Sequence, residues 1–130
     1  MNIFVNGTFD ILHRGHLEML EYAEGLGDYL LVAIDTDRRV RELKGTTRPI
    51  NNQEDRRYMM SRIKGVKDVR LFDSDEELQH IIELFQPDIM VKGSDYRNRP
   101  IIGEEHCGEI KFYETTKHST TNTIQHITNR

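Results

Sequence analysis

Short apolar runs alternate along the chain with longer stretches in which apolar residues recur every three or four positions. The runs are "NIFVN" (2–6), "DYLLVAID" (28–35), "DVRLF" (68–72), "DIMVKG" (88–93) and "EIKFYE" (109–114). Rich in Val, Ile, Leu, Phe and Tyr, they predict five largely buried strands. After the first, "GHLEMLEYAEGLG" sets Leu17, Leu20, Tyr22 or Ala23, and Leu26 at helical spacing with glutamates opposite, and Gly27 predicts the stop. "NNQEDRRYMMSRIKG" predicts a helix from an asparagine cap to Gly65. "SDEELQHIIELFQP" predicts another, from Ser74 with acids in its first turn to the residues before Pro87. "STTNTIQHI" (119–127) predicts a short last helix with a polar start, and the aperiodic stretch 94–108 predicts a long surface loop.

The resulting order, β-α-β-α-α-β-α-β-β-α, predicts an α/β fold. Its form is a Rossmann-like three-layer αβα sandwich on a mainly parallel five-stranded sheet. In such sheets ligands bind beyond the carboxyl ends of the strands, where strand order reverses. The polar segments "NGTFD…HRGH", "DTD", "KGSDYR" and "TTKHSTT" are therefore expected to converge on one crevice.

Composition narrows the partners. A chain of 130 residues has the length of one domain, and no repeat, low-complexity tract or linker divides it. Lys and Arg number 18 against 22 Asp and Glu, and the net charge of -4 argues against a general nucleic-acid binder. No stretch approaches the length needed to span a bilayer. The single cysteine, Cys107, forms no internal disulfide, and the first residues lack the pattern of a secretion signal, so a cytoplasmic location is expected.

The candidate chemistry centres on "GTFDILHRGH" (7–16). Gly7 permits a tight exit from the strand, and Asp10 is placed to fix the loop or the helix start. His13 and His16 fall on one face of the first helical turn, and Gly15 between them lets a ligand approach the backbone. Two imidazoles beside a helix N-terminus make an anion site, because amides, dipole and ring donors all favour phosphate. A metal site on Asp10, His13 and His16 is the rival reading; it needs further ligands and leaves Gly15 unexplained. A non-enzymatic, receiver-like signalling domain is a third, suggested by Asp35 or Asp37 after one strand and Lys92 after another.

The segments "NGTFDILHRGH", "LGDYLLVAIDTD", "KGTTRPINNQEDRR", "PDIMVKGSDYR" and "STTNTI" run in this order over nearly the whole chain. Together they resemble the cytidylyltransferase-like nucleotidyltransferases with the HxGH signature. Among these, the resemblance is to glycerol-3-phosphate cytidylyltransferase and to the adenylyltransferase domain of ADP-heptose synthase. It implies one nucleotidyltransferase domain over 1–130 that joins a nucleoside triphosphate, ATP or CTP, to a phosphorylated small molecule and releases pyrophosphate. No covalent intermediate is needed, so the chemistry calls for orientation and charge stabilisation.

Residue by residue, His13 and His16 match the signature histidines on the triphosphate, with Gly15 as the gap beside it. Gly7, Thr8 and Phe9 match the loop under the α-phosphate, and Asp10 its acidic partner. Lys44 matches a mobile lysine that neutralises the reacting phosphates and meets the acceptor. Arg56 matches a phosphate-contacting cation, and Lys64, eight residues on, falls on the same helical face. Lys92, Gly93, Ser94, Asp95 and Tyr96 match the loop lining the base and ribose. Ser119, Thr120 and Thr121 match a run that holds the β- and γ-phosphates. Two readings stand for Asp37, acceptor contact or loop brace. Magnesium is implied on the triphosphate rather than on a protein metal site, and a homodimer is implied by the small relatives.

Departures bear on the substrate. Glu114 stands where the glycerol-phosphate enzyme carries an arginine, while "RPINNQEDR" and "VKGSDY" resemble the heptose enzyme more closely. A sugar 1-phosphate such as heptose 1-phosphate is therefore the favoured acceptor, and glycerol 3-phosphate with CTP, giving CDP-glycerol, the alternative.

Overall fold

A computed structural model describes residues 1–114. Ser119, Thr120, Thr121 and the expected last helix lie outside the described residues. Within them the elements are β1 (Asn2–Gly7), α1 (Arg14–Glu24), β2 (Tyr29–Asp35), α2 (Asp37–Lys44), α3 (Gln53–Ser61), β3 (Val66–Phe72), α4 (Asp75–Phe85), β4 (Ile89–Gly93) and β5 (Glu109–Tyr113). The five strands form one sheet in the order β3-β2-β1-β4-β5, and every adjacent pair is parallel. This is the Rossmann-like α/β sandwich that the alternating pattern predicts.

Strand alternation builds the two faces. Ile3, Val5, Val32, Ile34 and Val91 point to one side and pack with Leu20 and Ala23 of α1 and Met60 of α3. Phe4, Leu31, Ala33 and Met90 point to the other and pack with Leu78 and Ile82 of α4. Helices therefore cover both faces, which is why the central strands read as continuous apolar runs. A receiver-like domain has the different strand order 2-1-3-4-5, and the observed order excludes that reading.

Local chemistry sets the helix starts. Thr36, Asn52 and Ser74 each accept a hydrogen bond from a first-turn amide, those of Arg39, Asp55 and Glu77. Two expected stops move. α1 ends at Glu24 with Gly25 as its C-cap, and Gly27 serves a close approach instead, since a Cβ there would lie 2.5 Å from the Met1 carbonyl oxygen. α3 ends at Ser61, four residues short of Gly65, whose φ of +90° suits the turn into β3. The stretch 94–108 is no plain surface loop: it carries 3-10 turns at Ser94–Tyr96 and Glu104–His106, and Ile101 is buried against the α4 side.

Candidate active site

The chain leaves β1 for β2 on one side and reaches β4 on the other, so strand order reverses between β1 and β4. Beyond their carboxyl ends lies a pocket of about 250 Å³. Asn6, Gly7, Thr8 and Phe9 line it from β1, His16 and Met19 from α1, and Lys44 from α2. Val91, Lys92, Gly93 and Tyr96 close it from β4 and the turn that follows. A larger hollow of about 500 Å³ between α3 and β3 is walled by Glu54, Arg57, Tyr58 and Asp68 and takes in none of these strand-end residues.

The first loop is tightly built. Phe9 adopts φ +50°, a strained conformation for an aromatic residue, and buries its ring edge-on to His16 with centroids 5.3 Å apart. That ring explains Gly7, where a Cβ would meet Phe9 Cε2 at 3.0 Å. His13 caps α1: its Nδ1 accepts the Gly15 amide at 3.0 Å, and His16 Nδ1 accepts the His13 amide at 3.3 Å. A neutral imidazole that accepts at Nδ1 carries its proton on Nε2, so His16 brings an N–H donor to the pocket it lines. Gly15 is buried and its amide is taken by His13. The anion-binding capacity of this turn therefore lies in the rings, whereas the sequence suggested approach to the Gly15 backbone.

Asp10 is fully buried and ties the first loop to the run before α3. Its two carboxylate oxygens accept the amides of Ile50 and Asn51, each at 2.7 Å. Its role is to fix the loop, and with His13 and His16 both accepting amides at Nδ1 these three residues form no metal cage. Among the described residues no cluster of three His, Cys, Asp or Glu side chains could hold a metal ion.

Arg56 is a correction to the sequence reading. It is the largest fully buried side chain among the described residues, and its guanidinium is spent on the protein. It donates to the carbonyl oxygens of Asn51, Thr8 and Asp35 and to the Asp37 carboxylate at 2.8 Å. It therefore positions the loops around the pocket, its donors taken by protein oxygens. Of the two readings of Asp37 the geometry fits the loop brace: Arg56 holds its carboxylate and Gln53 its amide, and it opens on a separate hollow with Arg38 and Arg41. Lys64 is corrected as well. Because α3 stops at Ser61, Lys64 is not on the Arg56 face but in the exposed turn leading into β3, at the amino end of the sheet. Asp95 is exposed outside the pocket, close enough to Lys92 for its charge to favour the ammonium.

Burial shapes the charges that remain. His16 is pushed down to about 4, first by desolvation and then by His13 and Lys44, so it is neutral at pH 7. Lys92, buried at the end of β4, is pushed down to about 8, again mainly by desolvation. Its ammonium donates to Asn6 Oδ1 at 3.0 Å and lies 4.5 Å from the Tyr96 ring centroid. Lys44 is lowered too, by desolvation and by the neighbouring Arg48 guanidinium. The pocket thus carries a neutral ring donor and two destabilised cations, an environment that an anion would relieve.

Sequence reasoning missed Asn6, Met19 and Val91, and above all Arg48. Asn6 left a signal: a polar side chain at the carboxyl end of an otherwise apolar strand.

Residues 4–124 match the family model described as cytidylyltransferase-like. Bifunctional protein HldE of Campylobacter fetus subsp. fetus is 44% identical over 126 residues, covering 96% of this chain and 27% of that protein. Its counterpart in Aliarcobacter butzleri is 41% identical, covering 96% and 26%. The chain thus spans about a quarter of the length of these curated relatives. A crystal structure of the lipopolysaccharide core biosynthesis protein from Thermoplasma volcanium GSS1 superposes with a TM-score of 0.69 at 25% identity, covering 92% of this chain and 98% of that one. With its family model matched from the first strand onward and the HxGH turn built at the strand-order reversal, the chain belongs to the cytidylyltransferase-like family of nucleotidyltransferases.

Proposed function

We propose that the chain transfers a nucleoside monophosphate from ATP or CTP to a phosphorylated small molecule, and that the acceptor is a sugar 1-phosphate, heptose 1-phosphate being favoured. The observation that carries this reading is the grouping of His16, Lys44 and Lys92 around the Gly7–Phe9 backbone at the β1–β4 reversal. The names of the relatives, HldE and a lipopolysaccharide core biosynthesis protein, support a sugar-nucleotide product.

An oxygen of the acceptor phosphate attacks the α-phosphorus in line. The bond from that phosphorus to the bridging oxygen breaks, and pyrophosphate leaves with the electron pair. His13 and His16 donate to the triphosphate, and Lys44 neutralises the charge that develops as the two phosphates approach. Lys92, Gly93 and Tyr96 bound the nucleoside side. Ser119, Thr120 and Thr121, outside the described residues, are assigned to the β- and γ-phosphates.

Magnesium fits as a companion of the substrate. Asp10 is committed to amides and Asp35 to Arg39, so a magnesium ion would be held through the triphosphate oxygens and would supply charge neutralisation there. The reading also includes a cytoplasmic homodimer, checked by light scattering.

The test is pyrophosphate release with ATP and CTP against heptose 1-phosphate, glycerol 3-phosphate and related phosphates, with and without magnesium. Release is expected with a sugar 1-phosphate and magnesium present. No turnover across the acceptor panel would overturn the proposal, and a clear preference for CTP with glycerol 3-phosphate would replace the acceptor.

A further inference from the structure

Arg48, in the "KGTTRP" run between α2 and α3, is buried and charged, yet poorly partnered. Its side chain is 9% exposed, and its Nε and Nη2 atoms are buried with no hydrogen-bond partner. The nearest carboxylate, Asp10, stands 3.6 Å from Nε, beyond hydrogen-bond range, and already takes the amides of Ile50 and Asn51. Asp10 would therefore stay satisfied if Arg48 turned to another anion. Arg48 in turn disfavours the charge on Lys44, which lines the pocket. The carboxylate these two cations share is Asp10, whose oxygens already take two amides and which leaves the Arg48 donors unmet. Gly45, at φ +101° with open space around it, lies in the exposed run 43–47 that joins them.

We propose that Arg48 and Lys44 form a subsite for the phosphate group of the acceptor, in which the planar guanidinium grips two phosphate oxygens and leaves the third to attack. A tetrahedral dianion matches this pair: the fork binds it bidentately, and the ammonium adds a point charge from the pocket side. This assignment rests on the nucleotidyltransferase reading above and adds to it the residue that selects a phosphomonoester over the uncharged alcohol.

The experiment has a kinetic arm and a binding arm, both on the full chain. Pyrophosphate release is measured for wild type, R48M and R48K, varying sugar 1-phosphate at saturating ATP and then ATP at saturating acceptor. The acceptor KM is expected to rise at least tenfold in both variants, R48K included because it loses the fork, while the ATP KM stays within twofold. The melting temperature of R48M is expected to match or exceed that of wild type. An unchanged acceptor KM, or an ATP KM that rises in parallel, overturns the subsite. So does an R48M chain that unfolds, because Arg48 would then be a structural partner of Asp10.

In the binding arm, inorganic phosphate is titrated calorimetrically into the chain loaded with a non-hydrolysable ATP analogue. Saturable binding by wild type, weakened at least tenfold in R48M and R48K, is expected; no saturable binding by wild type overturns the subsite. Arg48-dependent phosphate binding without turnover on any sugar 1-phosphate would leave the subsite standing and sink the substrate class. Turnover with an Arg48-independent acceptor KM would do the reverse.

Discussion

The imidazole of His16 stacks on that of His13 with centroids 3.9 Å apart and planes 22° from parallel. Two such rings cannot both hold a charge at low cost, and burial lowers the affinity of His16 for a proton further. The pair therefore enters the reaction with His16 as a neutral donor. Its replacement by alanine is expected to lower kcat about 100- to 1000-fold, the range found for removal of one transition-state donor. Circular dichroism should show an unchanged fold, and retained turnover would refute the role.

The same shift predicts a pH dependence of stability. The folded pKa of His16, about 4, lies below the unfolded value of 6.5, so between these values the unfolded chain binds the extra proton. Stability from this group is whole above pH 6.5 and is lost as pH falls towards 4. Thermal melts of wild type and His16→Asn from pH 7 to 4 should therefore converge, wild type losing more. In kcat/KM profiles no acid limb due to His16 should appear near 6.5.

Arg56 predicts a different kind of loss. Its removal leaves the Asp37 carboxylate and three carbonyl oxygens without their donor. Arg56→Met is expected to cost about 3–5 kcal/mol, as breaking a buried charge pair does. Thermal unfolding should drop by roughly 10 °C or more, on the scaling for a domain of this size. A phosphate-contacting arginine would show the opposite pattern, with activity lost and the melt unmoved.

The contrast between Arg56 and Lys64 marks how far the letters carry. Spacing of eight residues placed both cations on one helix face, and that inference holds only while the helix lasts; α3 ends at Ser61. Burial of Arg56 depends on Asp35, Thr8 and Asn51 coming together from three segments, which no local pattern encodes. By contrast, the sheet was legible because both faces of the central strands are covered, and Lys92 was placed by its match to the loop that lines the base and ribose in the family. Arg48 was invisible for the reason Arg56 was misread: its burial with unmet donors arises where the run before α3 meets the first loop, which no local pattern encodes.

Lys64→Ala is accordingly expected to be silent. The residue is exposed at the amino end of the sheet, away from the strand ends that build the pocket. The KM for ATP should stay within about twofold and the melting temperature within about a degree, as for a surface change. A tenfold rise in KM would return Lys64 to the site.

Lys92 offers a trade between stability and binding. Its ammonium is buried beside Asn6 and Tyr96, and desolvation lowers its pKa to about 8. Replacing it by methionine keeps the length and removes the buried charge, so Lys92→Met is expected to melt higher than wild type at pH 7. The KM for nucleotide should rise in the same variant, because the cation facing the pocket is gone. The sign of the pH effect follows from the unfolded value of 10.5 lying above the folded one: between 8 and 10.5 the unfolded chain holds the extra proton, so wild-type stability gains as pH rises. The melting advantage of Lys92→Met should therefore shrink from pH 8 upward. An advantage that stays constant to pH 10 would mean that Lys92 is not destabilised by burial.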